Sequence, residues 1–201
     1  MKKSLISILT VLALTGCSKS EEPQAEVVTP QQETVSESAV PTEAEVNANL
    51  EKLTLSAFIE GLKPKMKDTV NEHPESASML AYYMDLKDTK ISDIKNIAST
   101  TKGKILKDSY LEQGKSICVN GAIVEIAADR SGGFPAYSGI MIDNSMQPYA
   151  FVAVGDTGEL EAQSATKFCG IAVGKMSYSN SGGGSSTAPY VIGLFDLPAN
   201  R

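Results

Sequence analysis

The side chains with the most chemical reactivity in this chain are three cysteines and one histidine. Cys17 follows an apolar stretch near the amino terminus, whereas Cys118 and Cys169 lie in the second half of the chain. As the only histidine, His73 is the obvious candidate for a general base. It stands alone at the start of a predicted helix, and we interpret it as an exposed loop histidine.

Two sequence motifs of catalytic sites can be compared with the secondary structure that each of them requires. A nucleophile elbow needs G-x-S-x-G at a strand-turn-helix junction, and no such arrangement occurs near His73. Gly114-Lys115-Ser116 has the lysine and the hydroxyl of a phosphate-binding loop, but it lacks the upstream glycine and precedes a predicted strand. Nucleotide hydrolysis by this motif is therefore excluded, and we expect a protein that is not an enzyme and holds no cofactor.

Carboxylates are scattered along the second half of the chain, at Asp129, Asp143, Asp156, Glu159 and Glu161. The segment DTGELE at 156–161 offers oxygen ligands, but it lacks the ligand spacing of an EF-hand, and we expect no metal site. A glycosidase-like pair depends on separation in space, which no sequence pattern supplies. An envelope hydrolase with a carboxylate or serine site is kept as the alternative function.

The amino terminus has the pattern of an exported protein. Two lysines precede the apolar run 5–14, which is too short to cross a bilayer as a helix. The sequence Leu14-Thr15-Gly16-Cys17 resembles the lipobox of bacterial lipoproteins, in which the cysteine sulfur accepts a lipid and the signal is cut before it. The resemblance implies a signal peptide at 1–16 and a chain that begins with lipidated, acylated (palmitate-bearing) Cys17. The competing interpretation is an ordinary secretory signal with an incidental cysteine.

The resemblance to lipoproteins also predicts the cell compartment of the protein and the state of the two remaining cysteines. Ser18 rather than Asp follows Cys17, which implies an anchor in the outer membrane, facing the periplasm. That compartment is oxidising, and an even pair of cysteines there favours a disulfide between Cys118 and Cys169. Two buried free thiols or two metal ligands are the alternatives, and the metal site lacks nearby histidine partners.

Charge and composition limit the partners. The formal net charge is −6, and removing the two lysines of the signal makes it more negative. An acidic chain without tryptophan has little attraction for nucleic acid, so we expect a nucleic-acid partner to be unlikely. Residues 17–48 are rich in Glu, Pro, Ser, Thr and Gln, and we predict a lipidated cysteine followed by a disordered acidic tether.

Hydrophobic periodicity predicts two kinds of structure after the tether. Apolar residues recur at helical spacing between Leu50 and Leu62, and further helices are predicted from about 74 and over 92–99, which makes 49–110 a helical region. From residue 116 the period changes to two, and five strands are predicted at 117–127, 136–143, 149–155, 166–178 and 189–195.

Five strands, of which the first and fourth are longest, resemble an OB-fold barrel over residues 114–201. The first and fourth strands of that fold are neighbours, so a bridge between Cys118 and Cys169 would cross them. The segments GKSICVNG, FCGIAVGKMSYSNSGGG and VIGLFDLPANR also resemble uncharacterised proteobacterial proteins and lipoproteins, a family that supplies no activity. We predict an α+β fold with a tether, a small helical segment and a five-stranded antiparallel OB-like barrel.

Ligands of OB-folds meet the face of the second and third strands, which is rimmed by the loops after the first and fourth strands. These loops are Asp129–Pro135 and Ser179–Thr187 in this chain. The resemblance therefore favours a binding surface made of residues in or beside these loops, namely Arg130, Tyr137, Lys175, Tyr178 and Asn180. Its ligand would be an envelope protein, a peptide or a glycan. The alternative is two mobile hairpin loops without a ligand. The predicted function is a membrane-anchored, non-catalytic binding or envelope-maintenance module.

Overall fold

The computed structural model describes residues 42–130, 133–179 and 182–201, which belong to one compact unit. The predicted signal peptide, Cys17, most of the predicted tether and Asn180 lie outside the described residues. The fold is α+β, with a group of short helices followed by one mixed sheet.

The helices precede the long strands in the chain. They are α1 (Glu43–Leu50), α2 (Leu55–Leu62), α3 (Glu75–Leu86), α4 (Ile91–Lys95), α5 (Lys102–Lys107) and α6 (Ser109–Glu112), with 3-10 turns at Lys63–Lys65 and Pro198–Asn200. The apolar stripe predicted as one helix is divided into α1 and α2. The division occurs because the Thr54 hydroxyl accepts a hydrogen bond from the Ala57 N–H and starts a new helix. α1 begins inside the range predicted as tether.

The strands are β1 (Thr69–Val70), β2 (Ser116–Asp129), β3 (Ala136–Asp143), β4 (Pro148–Ala153), β5 (Ala165–Ser179) and β6 (Ser185–Phe195). The five long strands correspond to the five predicted ones. The prediction of a purely antiparallel, five-stranded sheet is wrong, because β1 adds a sixth strand and both β1–β5 and β4–β6 are parallel. A two-residue strand leaves no periodic signal, and the β4–β6 contact joins segments separated by the whole of β5.

The strand pairings return to the strand from which they start. β2 pairs antiparallel with β3 and β5, β3 with β4, and β5 with β6, while the parallel β4–β6 contact completes the circuit. Alternate residues of each strand therefore face the inside or the outside of this circuit.

Buried apolar residues form one core inside this circuit of strands and another on its outside. The inner core contains Phe151, Phe168 and Phe195, whose ring centroids lie 5.2–5.4 Å apart. The outer core joins the opposite faces of β4, β5 and β6 to helices α2, α3 and α4, and its residues include Leu80 and Ile192. Because the helices cover this outer face, they determine which parts of the sheet remain open.

The Cys118–Cys169 disulfide joins β2 to β5, where the two residues are direct antiparallel partners. This bond agrees with the pairing expected from the sequence. Cys169 is fully buried, whereas Cys118 is exposed. The disulfide therefore lies within the segment in which β2 and β5 are paired.

Candidate functional site

Two long hairpins, β2–β3 and β5–β6, extend beyond the segment in which β2 pairs with β5. β2 pairs with β5 only as far as Ala122, which lies opposite Ala165. Beyond that point β2 continues with β3 alone, whereas at the opposite end of the β2–β5 ladder β5 continues past Ile171 with β6 as far as the Ser179–Ser185 pair. The end of the β2–β3 hairpin is thus separated from the end of the β5–β6 hairpin.

A groove of about 440 Å³ occupies this separation, and we call it the hairpin groove. β2 and β3 supply one wall and β5 supplies the other, while the connection between β1 and α3 crosses one side. The residues that matter below are Glu72, His73, Glu125, Ser138, Met176 and Tyr178. The groove is open to solvent and mixes polar with apolar side chains.

A smaller cavity of about 130 Å³ lies between α3 and the outer face of the sheet, and we call it the helix cavity. Its walls are mainly apolar and include Ala77 and Ala81 of α3 and Val152 of β4. His73 and Ser138 line both the helix cavity and the hairpin groove. The two depressions therefore adjoin at these two side chains.

A hydrogen bond between His73 Nδ1 and the Tyr190 hydroxyl stands at this junction. Tyr190 is fully buried on β6, and burial raises the pKa of its hydroxyl well above the usual range. The hydroxyl therefore stays protonated at neutral pH. Its bond to the histidine fixes the His73 ring, whose centroid lies 5.7 Å from that of Tyr190.

The charges around the hairpin groove are mainly negative. Glu72 and Glu125 are exposed at its rim, and neither carboxylate forms an ion pair within the described part of the chain. Burial raises the pKa of Tyr178, a hydrogen bond with Ser186 opposes this shift, and the nearby charge of Glu125 adds to it. A cationic or neutral ligand is favoured at such a surface.

Lys175, one of the residues that the sequence predicted to bind a ligand, already forms an ion pair beside the groove. Lys175 Nζ lies 3.4 Å from Asp68 Oδ2, and the Lys175 backbone N–H donates to Asp68 Oδ1 at 2.8 Å. Gly174 permits this approach of the segment before β1, because its φ is +152° and a Cβ there would lie 2.7 Å from the Lys67 carbonyl oxygen. The charge of Lys175 is therefore offset beside the groove.

The five residues expected to bind a ligand occupy different environments. Tyr178 lines the hairpin groove, and Lys175 is bonded to Asp68 beside it. Tyr137 is half-buried against the inner core, and Arg130 is exposed beyond the end of β2, outside the residues that line the two depressions. Asn180 lies outside the described residues.

Sequence reasoning missed Tyr190, Ser138 and Glu125, and it treated His73 as a solitary loop residue. His73 is indeed exposed, but its partner is 117 positions away along the chain. The one available signal was Tyr190 itself, since a tyrosine in a run of buried aliphatic residues needs a partner for its hydroxyl.

Among residues 42–130, 133–179 and 182–201, no cluster of three His, Cys, Asp or Glu side chains is arranged to hold a metal ion. No helix in these ranges is both long enough and apolar enough to span a membrane. No family model matches the chain, and no curated protein or solved structure shows significant similarity to it.

Proposed function

We propose that this protein is a lipoprotein of the bacterial cell envelope, anchored through Cys17, that binds a partner without catalysis. The binding surface is the hairpin groove together with the helix cavity. The observation that carries the proposal is that the two depressions adjoin at His73 and Ser138, which line both of them. Concave sites with an apolar part and a few polar groups are typical of ligand binding.

The finer architecture in this proposal is an OB-like barrel made by β2 to β6. Its support is the closed circuit of strand pairings, in which the first long strand, β2, lies beside the fourth, β5. Ligands of OB-folds meet the loops after these two strands. The hairpin groove lies between the two hairpins that carry those loops.

The proposed anchor and tether determine where in the cell envelope the binding module lies. The lipobox resemblance at Cys17 supports lipid attachment, with sorting to the outer membrane and a domain that faces the periplasm. The segment between Cys17 and Thr42 carries five glutamates and one lysine. Like charges and prolines favour an extended chain, which would hold the domain away from the membrane surface.

A binding role fits the junction better than hydrolysis does. The hydroxyl bonded to His73 belongs to Tyr190, and burial raises the pKa of that hydroxyl. A nucleophile is activated by a lowered pKa or by a base that receives its proton. This tyrosine is instead kept protonated and enclosed, so the pair serves to position the histidine.

Photo-crosslinking in living cells tests the proposal. A benzoyl-phenylalanine at Tyr178 puts the reactive group into the hairpin groove, and the same residue at Tyr110, which is 79% exposed on α6, is the aromatic-for-aromatic control. We expect a discrete adduct from position 178 alone, which disappears when Ser78→Phe fills the helix cavity. No adduct at 178, or equal adducts at both positions, would overturn binding at this groove.

A further inference from the structure

Small side chains on α3 leave the space that forms the helix cavity. The residues that α3 contributes to the cavity wall are Ala77, Ser78 and Ala81, whereas Leu80 and Met84 of the same helix fill the outer core. Protein interiors are close-packed and contain few voids larger than a water molecule. The volume of about 130 Å³ approaches the roughly 150 Å³ that accepts benzene in an engineered protein core. The helix cavity is therefore large enough for one compact apolar group.

A carboxylate stands close to the junction of the helix cavity with the hairpin groove. Glu125 of β2 pairs with Ile140 of β3, and Ser138, which lines both depressions, pairs with Ala127. Glu125 and Ser138 are therefore diagonal neighbours on one face of the β2–β3 ladder, where such residues are roughly 7–8 Å apart. A second carboxylate, that of Glu72, precedes His73 in the chain and lines the same groove.

The hairpin groove combines these carboxylates with an aromatic ring. Besides burial, the charge of Glu125 raises the pKa of Tyr178, so the carboxylate and the phenol lie close together. Neither Glu72 nor Glu125 forms an ion pair in the described part of the chain. An ammonium group is attracted both by carboxylates and by the face of an aromatic ring. The groove is therefore suited to a positively charged nitrogen.

From the apolar cavity and the acidic groove that adjoins it, we infer that the two depressions together bind an ammonium ion that carries one compact apolar group. The apolar group, a six-membered ring or a branched chain of similar size, lies in the helix cavity. The ammonium lies in the hairpin groove near Glu72, Glu125 and Tyr178. The inference rests on the proposed function, because it names the ligand class of the same site. A free arylalkylamine and the amino-terminal residue of a peptide both have this chemistry.

Isothermal titration calorimetry on the full-length chain in a mild non-ionic detergent tests this inference, with titration into detergent alone as the blank. The first probe is phenethylamine, which has both the ring and the ammonium. Phenethyl alcohol replaces the ammonium by a hydroxyl, phenylacetate replaces it by a carboxylate, and ethylamine lacks the ring. Phenylalanylglycine amide and its N-acetyl form represent the peptide source, with and without the charged amino terminus.

We expect phenethylamine to bind more tightly than each of the other three small probes. Phenethyl alcohol should bind about three- to tenfold more weakly, because it lacks the charge, and phenylacetate at least about tenfold more weakly, because it is repelled. Ethylamine should also bind at least about tenfold more weakly, since it buries no ring in the helix cavity.

Two pairs of variants separate the ammonium from the ring. Glu125→Gln should weaken phenethylamine about three- to tenfold and leave phenethyl alcohol unchanged, whereas Glu159→Gln, in an exposed turn, should affect neither. Ser78→Phe fills the helix cavity and should remove the binding of both ring-bearing probes. Ser92→Phe, the same change at an exposed position of α4, should leave both affinities as they are.

Each contrary result removes a different part of the inference. Equal affinities of phenethylamine and phenylacetate, or an equal effect of Glu125→Gln on the amine and the alcohol, would overturn recognition of the ammonium. Unchanged binding to Ser78→Phe would overturn the placement of the ring. Tighter binding of phenylalanylglycine amide than of phenethylamine would assign the ligand to a peptide amino terminus, and the reverse order would assign it to a free amine. Equal binding of the N-acetyl form would refute both sources.

The failure of this inference can be distinguished from the failure of the proposed function. If none of the probes binds while the Tyr178 photo-adduct still forms, the ammonium inference fails and the proposed function stands. If the photo-adduct is also absent, both fail.

Discussion

The double substitution Cys118→Ala/Cys169→Ala removes the covalent bond across the paired part of β2 and β5. The two cysteines are 51 positions apart, and the loop that they close contains β3 and β4. In the chain-entropy treatment, a loop of this length restricts the unfolded chain by about 4 kcal/mol at 25 °C. We therefore expect the free energy of unfolding to fall by about 4 kcal/mol, within the roughly 2–5 kcal/mol found when native disulfides are removed.

The assay is urea unfolding followed by far-UV circular dichroism, since the chain has no tryptophan to report by fluorescence. Wild-type protein in a reducing buffer is the matched control, because it lacks the bond but keeps both sulfur atoms. The m-value should rise when the bond is absent, since the unfolded chain then exposes more surface. On heating, about 4 kcal/mol corresponds to a Tm that is lower by roughly 8–16 °C for a domain of this size.

The reasoning is refuted if the reduced wild type and the double variant both lose less than about 1 kcal/mol at an unchanged m-value. That result would mean that the unfolded chain already keeps residues 118 and 169 together. A loss seen in the double variant but not in the reduced wild type would instead assign the effect to packing around Cys169, which is fully buried.

Three further predictions concern the anchor, the pH dependence and the inner core. Cys17→Ala should move the protein from the membrane fraction to the soluble fraction, as measured by fractionation and immunoblotting, and unchanged retention would contradict a lipid anchor. A hydrogen bond from Arg201 lowers the pKa of Asp196, with a further contribution from Lys167. The ionised carboxylate of Asp196 therefore stabilises the folded protein at neutral pH, and this stabilisation is lost as the pH falls below the ordinary carboxyl range. Asp196→Asn should therefore reduce the drop in Tm between pH 7 and pH 3, and an identical pH profile would contradict this. Phe151→Ala should cost about 3–5 kcal/mol in urea unfolding, because this ring is 1% exposed and contacts two other phenylalanines.

The long strands could be predicted from the sequence because each follows a local rule. Alternation of apolar residues and the glycine-rich breaks between runs are enough to locate β2, β3 and β5 within two residues of their ends. The start of α3 was also predictable, since a helix was expected to begin near Pro74, which is the N-cap residue in the structure. These features depend only on neighbours in the chain.

The missed features depend on contacts between distant segments. β1 has two residues, and it exists because Asp68 and Asn71 hold that segment against β5. The Tyr190–His73 bond joins a buried strand to a loop that looked solitary in the sequence. The expected loop residues were chosen by position after the strands, but the groove is lined by segments of β2, β3 and β5 that are distant in the chain, among them Glu125 and Ser138.

The position of α3 bears on whether the proposed OB-like barrel would bind a nucleic acid. OB-folds bind oligonucleotides over the face of their second and third strands, which in the proposed barrel would be β3 and β4. α3 packs over the outer face of β4, where it covers Val152 beside the helix cavity of about 130 Å³. The hairpin groove is open to solvent, and the glutamates at its rim repel phosphate. Steric cover and charge therefore both oppose the binding of a nucleic acid at this face of the proposed barrel.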